Sequence, residues 1–176
     1  MSVKFKISKK VISENCKPYI IAEACINHEG NVKIAKKMID KAVEAGVSAV
    51  KFQFHVLEDE MLKYTPKSNN FSESLYDTLN RTNLSIKEHK YLKKYCEKKN
   101  VDYLCTPFSF KSADILEKEI RLKIFKVGSG ELTNIPLQTH IAKKKFPTII
   151  STGMSTFKEV RHTFNIVKKI NKNIAL

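Results

Sequence analysis

Apolar runs of strand length alternate with segments of helical period from one end of the chain to the other. This is the pattern of βα units built on a parallel sheet. Runs over 19–25, 47–54, 101–106, 123–128 and 147–152 predict five strands, and 173–176 reads as the start of a sixth. After the first strand, Asn31 is a helix N-cap, Ile34, Ala35, Met38, Ile39, Ala42 and Val43 form one apolar face, and Gly46 is the stop. The capping box Ser85-x-x-Glu88 opens a helix that buries Leu92, Tyr95 and Cys96. A helix over 111–119 follows, Asn134 and Pro136 start a short one, and Thr156-x-x-Glu159 opens the last, with Val160, Phe164, Val167 and Ile170 on its face. Between 55 and 84 runs a polar connection, rich in Asn and Ser around Ser68-Asn69-Asn70, with one short helix near 74–79. A loop of that length inside a compact unit usually carries function.

The 176 residues are 42% hydrophobic, a globular composition that sets aside a disordered or collagen-like chain and supports a single core. No apolar run approaches the roughly 18 residues of a membrane span, and the run at 19–25 is already broken by Glu23. The first residues alternate charge with apolar side chains and lack the apolar core of a secretory signal, so a cytoplasmic protein without membrane partners is expected. Cys16, Cys25, Cys96 and Cys105 show no zinc-type spacing and read as free thiols, with Cys25 and Cys105 expected to be buried in apolar runs. Thirty-two Lys+Arg against 18 Asp+Glu leave a net charge of +14, which raises nucleic acid as a partner. Against it, Phe52, Phe54, Phe108, Phe125 and Phe164 fall on positions expected to be buried, and no helix-turn-helix, zinc-finger or RNP pattern occurs. No nucleic-acid partner is therefore expected, and Lys36-Lys37, Lys93-Lys94, Lys143-Lys144-Lys145 and Lys168-Lys169 read as solvated helix faces.

Length alone favours a doubly wound sheet, since a (β/α)8 barrel typically takes about 250 residues. The strand ends argue for the barrel. A parallel sheet is covered on both faces, so charge inside a strand needs a reason. In Lys51-Phe52-Gln53 the two polar residues share one face, Lys126 points the same way as Ile124, the first strand carries Glu23, the third ends at Thr106 and the fifth at Ser151-Thr152. Barrels take their active-site groups from the C-terminal ends of several strands, although any one of these residues alone reads more readily as a snorkelling or backbone-satisfying side chain. Two inward lysines with Ser129 between glycines in Gly128-Ser129-Gly130 suit a small polyanion, because lysines bring point charge and glycines let backbone N–H groups approach oxygens. Glu131, beside that loop, is either a proton-handling carboxylate or a solvent-facing charge at a helix N-terminus.

The motifs Ile21-Ala22-Glu23, Ile26-Asn27-His28-Glu29-Gly30, Lys51-Phe52-Gln53, Thr106-Pro107-Phe108, Lys126-Val127-Gly128-Ser129-Gly130-Glu131 and Ser151-Thr152-Gly153-Met154 occur in one order from about residue 18 to the end. Together they resemble the N-terminal domain of the sialic acid synthase family. The resemblance implies part of a (β/α)8 barrel, about five βα units plus the start of a sixth strand, with the later units and an antifreeze-like domain absent. It implies condensation of phosphoenolpyruvate with an N-acetylated aminosugar, by C–O cleavage, in a homodimer. Lys51, Thr106, Lys126, Ser129 and Ser151 would then hold phosphoenolpyruvate, Gln53 and Asn70 would face the sugar, and Glu23 and Glu131 would position hydroxyls and move protons. A divalent metal, Mn²⁺ or Mg²⁺, is implied, with its histidine ligands beyond Leu176; the chain alone is expected to be inactive. A legionaminate or pseudaminate synthase is the neighbouring alternative, and a basic nucleic-acid- or partner-binding fragment is the alternative of another class. Of the histidines present, His28 and His55 are placed in loops near the mouth, while His89, His140 and His162 are expected at helix surfaces or core edges.

Overall fold

Six parallel strands hydrogen-bond in the order in which they occur along the chain. The structure, a computed structural model, describes residues 5–7, 10–64, 67, 69 and 72–176. A hairpin of β1 (Phe5–Ile7) and β2 (Lys10–Ile12) precedes the sheet, which runs β3 (Ile21–Cys25), β4 (Ala49–Phe54), β5 (Asp102–Pro107), β6 (Phe125–Val127), β7 (Thr148–Ile150) and β8 (Ile174–Ala175). Between them lie α1 (Val32–Glu44), α2 (Leu57–Glu60), α3 (Leu75–Thr82), α4 (Ile86–Lys98), α5 (Phe110–Lys118), α6 (Ile135–Lys143) and α7 (Phe157–Ile170). A doubly wound sheet reverses its strand order at a switch point, and this one never reverses. Right-handed crossovers in unbroken sequence put the helices on one face and leave the other as the inside of a barrel wall. The fold is a partial barrel, with β3 and β8 as the sheet edges among the described residues.

Strand alternation divides the apolar residues between two cores. Val50, Phe52, Phe54, Tyr103, Cys105, Phe125, Val127 and Ile150 face outward against Ile39 of α1, Leu92 of α4, Leu116 of α5, Ile141 of α6 and Val167 of α7. Ala49, Leu104 and Ile124 face inward, joined by the partly buried Ile21, Ile149 and Ala175. The hairpin supplies Phe5 and Ile7 to this inner cluster and so closes the end of the barrel where the strands begin. Sequence reading did not predict the hairpin, although Phe5-Lys6-Ile7 carries the strand period and is buried, exposed, buried in the structure. Its charged alternate residues make it look like a polar leader.

The helix boundaries follow their caps. Asn31 Oδ1 accepts from the N–H groups of Lys33 (2.9 Å) and Ile34 (3.3 Å) at the start of α1, and Gly46 takes φ +76°, a conformation costly for other residues, just past its end. Both predicted capping boxes are reciprocal, Ser85 with Glu88 and Thr156 with Glu159. The expected short helix is α3, capped by Ser74, and α2 is an additional turn that sequence reading left in the loop.

Two expectations about polar side chains are corrected. His89 is fully buried, because it lies on the same helical face as Leu92 and Cys96; its Nδ1 lies 2.5 Å from the Tyr103 hydroxyl. Lys144 does not belong to a solvated face: it sits between Asp114 (2.5 Å) and Glu117 (2.6 Å) with its side chain 8% exposed. Phe52, Phe54 and Phe125 are buried as expected, whereas Phe108 and Phe164 are only half-buried.

If the hairpin closes the inner core, Ile7→Ala will cost about 2–5 kcal/mol in urea denaturation, while Val11→Ala on the open side of the hairpin will stay within about 0.5 kcal/mol. Burial holds the His89 imidazole down to about 3, with charge on His28 and His55 acting in the same direction. The unfolded chain therefore binds a proton that the folded one refuses, and stability will fall as pH drops below the ordinary histidine value of about 6.5. His89→Gln will flatten that slope.

Candidate anion-binding site

The alternation that sets Ala49, Leu104 and Ile124 on the inner floor sets Lys51, Gln53, Thr106 and Lys126 above it, nearer the C-terminal ends of the strands. In-register pairing places Glu23 of β3 beside Lys51 of β4, and Gln53 beside Thr106 of β5. Glu23 and Lys51 form an ion pair between a half-exposed carboxylate and a buried ammonium. Lys126 of β6 donates to the Val127 carbonyl (3.0 Å) and to the Ser151 hydroxyl, just past β7. Five successive strands thus deliver polar groups to one end of the barrel interior.

Charge in this space is unbalanced. Lys51 and Lys126 are each only 6% exposed. Burial, and then the nearby positive charge of Lys51, holds the Lys126 ammonium below the ordinary lysine range, while Glu23 pulls in the opposite sense. Glu23 is already committed to Lys51, and among the described residues Lys126 meets no carboxylate. Among the described residues the Thr106 hydroxyl, 1% exposed, has no hydrogen-bond partner. A buried charge lacking a counter-ion and an idle hydroxyl are both costly, and anionic oxygens placed between them relieve both.

Ser129 lies half-buried on a short 3-10 turn, Ser129–Glu131, that leaves β6 and leads into α6. Glu131 is held differently from the lysine cluster. Its carboxylate accepts from Asn134 Nδ2 (2.8 Å), and Asn134 Oδ1 in turn accepts from Leu137 N at the start of α6. It ends the 3-10 turn that precedes α6, half-buried, with its side chain anchored on the N-cap residue Asn134. Cys25, expected to be buried, is instead half-buried with φ 49°, where the chain leaves the sheet. Its thiol lies 3.5 Å from Glu23 Oε2, and burial pushes its pKa up. Asn70, assigned to the sugar, lies outside the described residues.

Gln53 is not alone. His55 Nε2 lies 3.1 Å from its Oε1, and His55 Nδ1 lies 2.7 Å from Glu60 Oε2 on α2. Sequence reading placed His55 near the mouth but gave it no task and missed Glu60. The available signal was parity, since His55 follows Gln53 by two residues. Among the described residues no group of three or more His, Cys, Asp or Glu converges to hold a metal, so the residues present do not fit a divalent cation. No helix described is long and apolar enough to cross a membrane.

Comparison with known proteins places this geometry in context. The NeuB family model matches residues 38–176. The N,N'-diacetyllegionaminic acid synthase of Campylobacter jejuni is 38% identical over 159 residues, 87% of this chain and 47% of that protein. The N-acetylneuraminate-9-phosphate synthase of Homo sapiens is 30% identical over 161 residues, 88% of this chain and 44% of that protein. A sialic acid synthetase from Leptospira borgpetersenii, crystallised in complex with citrate, superposes with a TM-score of 0.83 at 30% identity over 99% of this chain and 58% of that one. The chain spans about half the length of the curated relatives it matches.

The strain at Lys126 is measurable. Its depressed pKa means that the unfolded chain binds more protons between the folded value and the ordinary lysine value. Stability will therefore rise with pH through that interval, and the cost is present in full at neutral pH. Lys126→Met will remove the cost and this alkaline slope, raising the urea midpoint at pH 7 while weakening anion binding.

Proposed function

Because the chain belongs to the NeuB family, we propose that it forms the phosphoenolpyruvate-binding part of a sugar-acid synthase that condenses phosphoenolpyruvate with an N-acetylated aminosugar. The observation that carries this reading is Lys126, buried beside Lys51 without a carboxylate of its own and next to an unpartnered Thr106 hydroxyl. Phosphoenolpyruvate brings two anionic groups to a space that lacks negative charge. Lys126, Lys51, Thr106, Ser129 and Ser151 bind its phosphate and carboxylate. The Leptospira synthetase was crystallised with citrate, another small polyanion, which is consistent with that preference.

The chemistry follows from the bound phosphoenolpyruvate. The enol carbon of phosphoenolpyruvate attacks the aldehyde carbon of the open-chain sugar; a C–C bond forms, and the aldehyde oxygen takes a proton to become a hydroxyl. Positive charge develops at the phosphate-bearing carbon, water adds there and loses a proton, and the C–O bond to phosphate breaks to leave the keto acid. Holding that carbon between fixed hydrogen-bond donors and water-poor walls orients the attack and strengthens each charge interaction. In this reading Glu23, half-exposed beside Lys51, orients a hydroxyl or accepts a proton, and Glu131 is the second carboxylate. The divalent cation would take its ligands from outside residues 1–176. The higher identity to the N,N'-diacetyllegionaminic acid synthase than to the human N-acetylneuraminate-9-phosphate synthase favours a diacetylated aminosugar as the second substrate.

Calorimetric titration of the chain with phosphoenolpyruvate will show saturable binding. Lys51→Met or Lys126→Met will weaken it by on the order of tenfold or more, the worth of a charge-assisted contact. Absence of binding in the unaltered chain sinks the reading. Where condensation is observed with either aminosugar, oxygen-18 in the bridging position of phosphoenolpyruvate will leave with phosphate; label retained in the sugar acid excludes C–O cleavage.

A further inference from the structure

Two polar side chains are buried in the helix layer beside the anion site, and the proposed reaction uses neither. Gln138 of α6 is 1% exposed and is buried together with Leu137, Ile141 and Ala142 of the same helix. Thr163 of α7 is 2% exposed and is buried with Val167, one turn further on. Both reach the same short stretch of chain. Gln138 Nε2 donates to the Glu131 carbonyl (3.0 Å) and, at longer range, to the Leu132 carbonyl (3.4 Å), while the Thr163 hydroxyl donates to the Leu132 carbonyl (3.0 Å). Every acceptor here is a backbone carbonyl, so each side chain can only donate, and the orientation of the amide follows.

A threonine inside a helix ordinarily returns its hydroxyl to the carbonyl three or four residues back. Thr78 and Thr82 of α3 do so, bonding to the carbonyls of Ser74 (3.0 Å) and Thr78 (2.8 Å). Thr163 instead gives its proton to a residue 31 positions away on another element. The carbonyls held by Thr163 and Gln138 lie where the Ser129–Glu131 turn ends, and this turn is closed by only two bonds of its own, Glu131 N–H to Gly128 (3.1 Å) and Leu132 N–H to Ser129 (3.3 Å). The Glu131 carbonyl also accepts from the Asn134 N–H (3.2 Å). Fixing two successive carbonyls fixes the peptide planes that leave the turn, and with them the direction in which its side chains project.

We propose that Gln138 and Thr163 are positioning residues for the anion site: they clamp the exit of the Ser129–Glu131 turn and so aim the Ser129 hydroxyl at the oxygens of phosphoenolpyruvate. The ligand part rests on the reading given under Proposed function; the clamp does not. A role confined to joining α6 to α7 lowers stability and leaves affinity unchanged, so the two roles are separable.

Calorimetric titration of folded variants with phosphoenolpyruvate tests this. Thr163→Val keeps the shape of the side chain and removes the donor; it will weaken binding by about three- to tenfold, the worth of one hydrogen bond, and Thr163→Ser, which keeps the hydroxyl, will bind within about twofold of the unaltered chain. The backbone ¹H–¹⁵N resonances of Gly130 and Glu131 will move in Thr163→Val and return in Thr163→Ser. In a Ser129→Ala background Thr163→Val will have little further effect, because the turn has no hydroxyl left to aim, whereas its effect will multiply in full with that of Lys51→Met. Unchanged affinity in folded Thr163→Val overturns the proposal, as does a loss that Thr163→Ser fails to restore or that multiplies in full with Ser129→Ala. If Thr163→Val does not fold, Gln138→Met, which removes the other donor at similar volume, carries the same expected and overturning results. Failure of the unaltered chain to bind phosphoenolpyruvate counts against the proposed function and leaves the Gly130 and Glu131 resonances to decide whether the clamp sets the turn.

Discussion

Two ammonium groups held inside a barrel wall with one carboxylate between them are the constraint around which the rest of the structure is arranged. A lysine almost removed from water needs either a counter-ion or a compensating set of dipoles. Lys51 has Glu23, whereas Lys126 has a hydroxyl and a carbonyl. The remaining positive charge can persist only because the surrounding walls are stable enough to hold it. A site kept short of negative charge in this way is strained while empty and relieved when an anion enters, which couples ligand affinity to a standing cost in folding stability.

The separation of two cores supplies that stability without filling the site. The outer core, between sheet and helices, contains most of the large buried side chains and is indifferent to what occupies the interior. The inner core is small, and Phe5 and Ile7 of the hairpin complete it at the end of the barrel opposite the site. A floor of Ala49, Leu104 and Ile124 beneath Lys51, Thr106 and Lys126 gives the interior a dry base and a polar upper layer. The same residue parity along each strand generates both layers.

Polar groups behind the site are tied to the framework by side-chain bonds that cross between elements. Gln53 on β4, Glu60 on α2 and Phe108 after β5 meet at the His55 imidazole, and Asn83 after α3 donates to the His55 backbone carbonyl. The long connection between β4 and α4 is therefore anchored at its first turn and again at its last residues. A loop held at both ends can present groups to a ligand without losing its attachment to the sheet.

Much of this protein was legible in its sequence, because the information is local. Helix starts at Asn31, Ser85 and Thr156 depend on bonds spanning three residues, and strand alternation alone put Lys51, Gln53 and Lys126 on one face. The ordered motifs made the family recognisable, and with it the identity of the lumen residues. What the sequence could not determine depends on contacts between distant segments. Length and periodicity suit a doubly wound sheet as well, and although the polar strand ends and the motifs already argued for a barrel, the strand order itself is a tertiary fact. The hairpin became a plug because an open inner core was there to receive Phe5 and Ile7. His89 proved internal through its contact with Tyr103, and His55 finds its partner only because α2 brings Glu60 within hydrogen-bond reach. Periodicity reports which face a side chain occupies; only the folded chain decides what faces it.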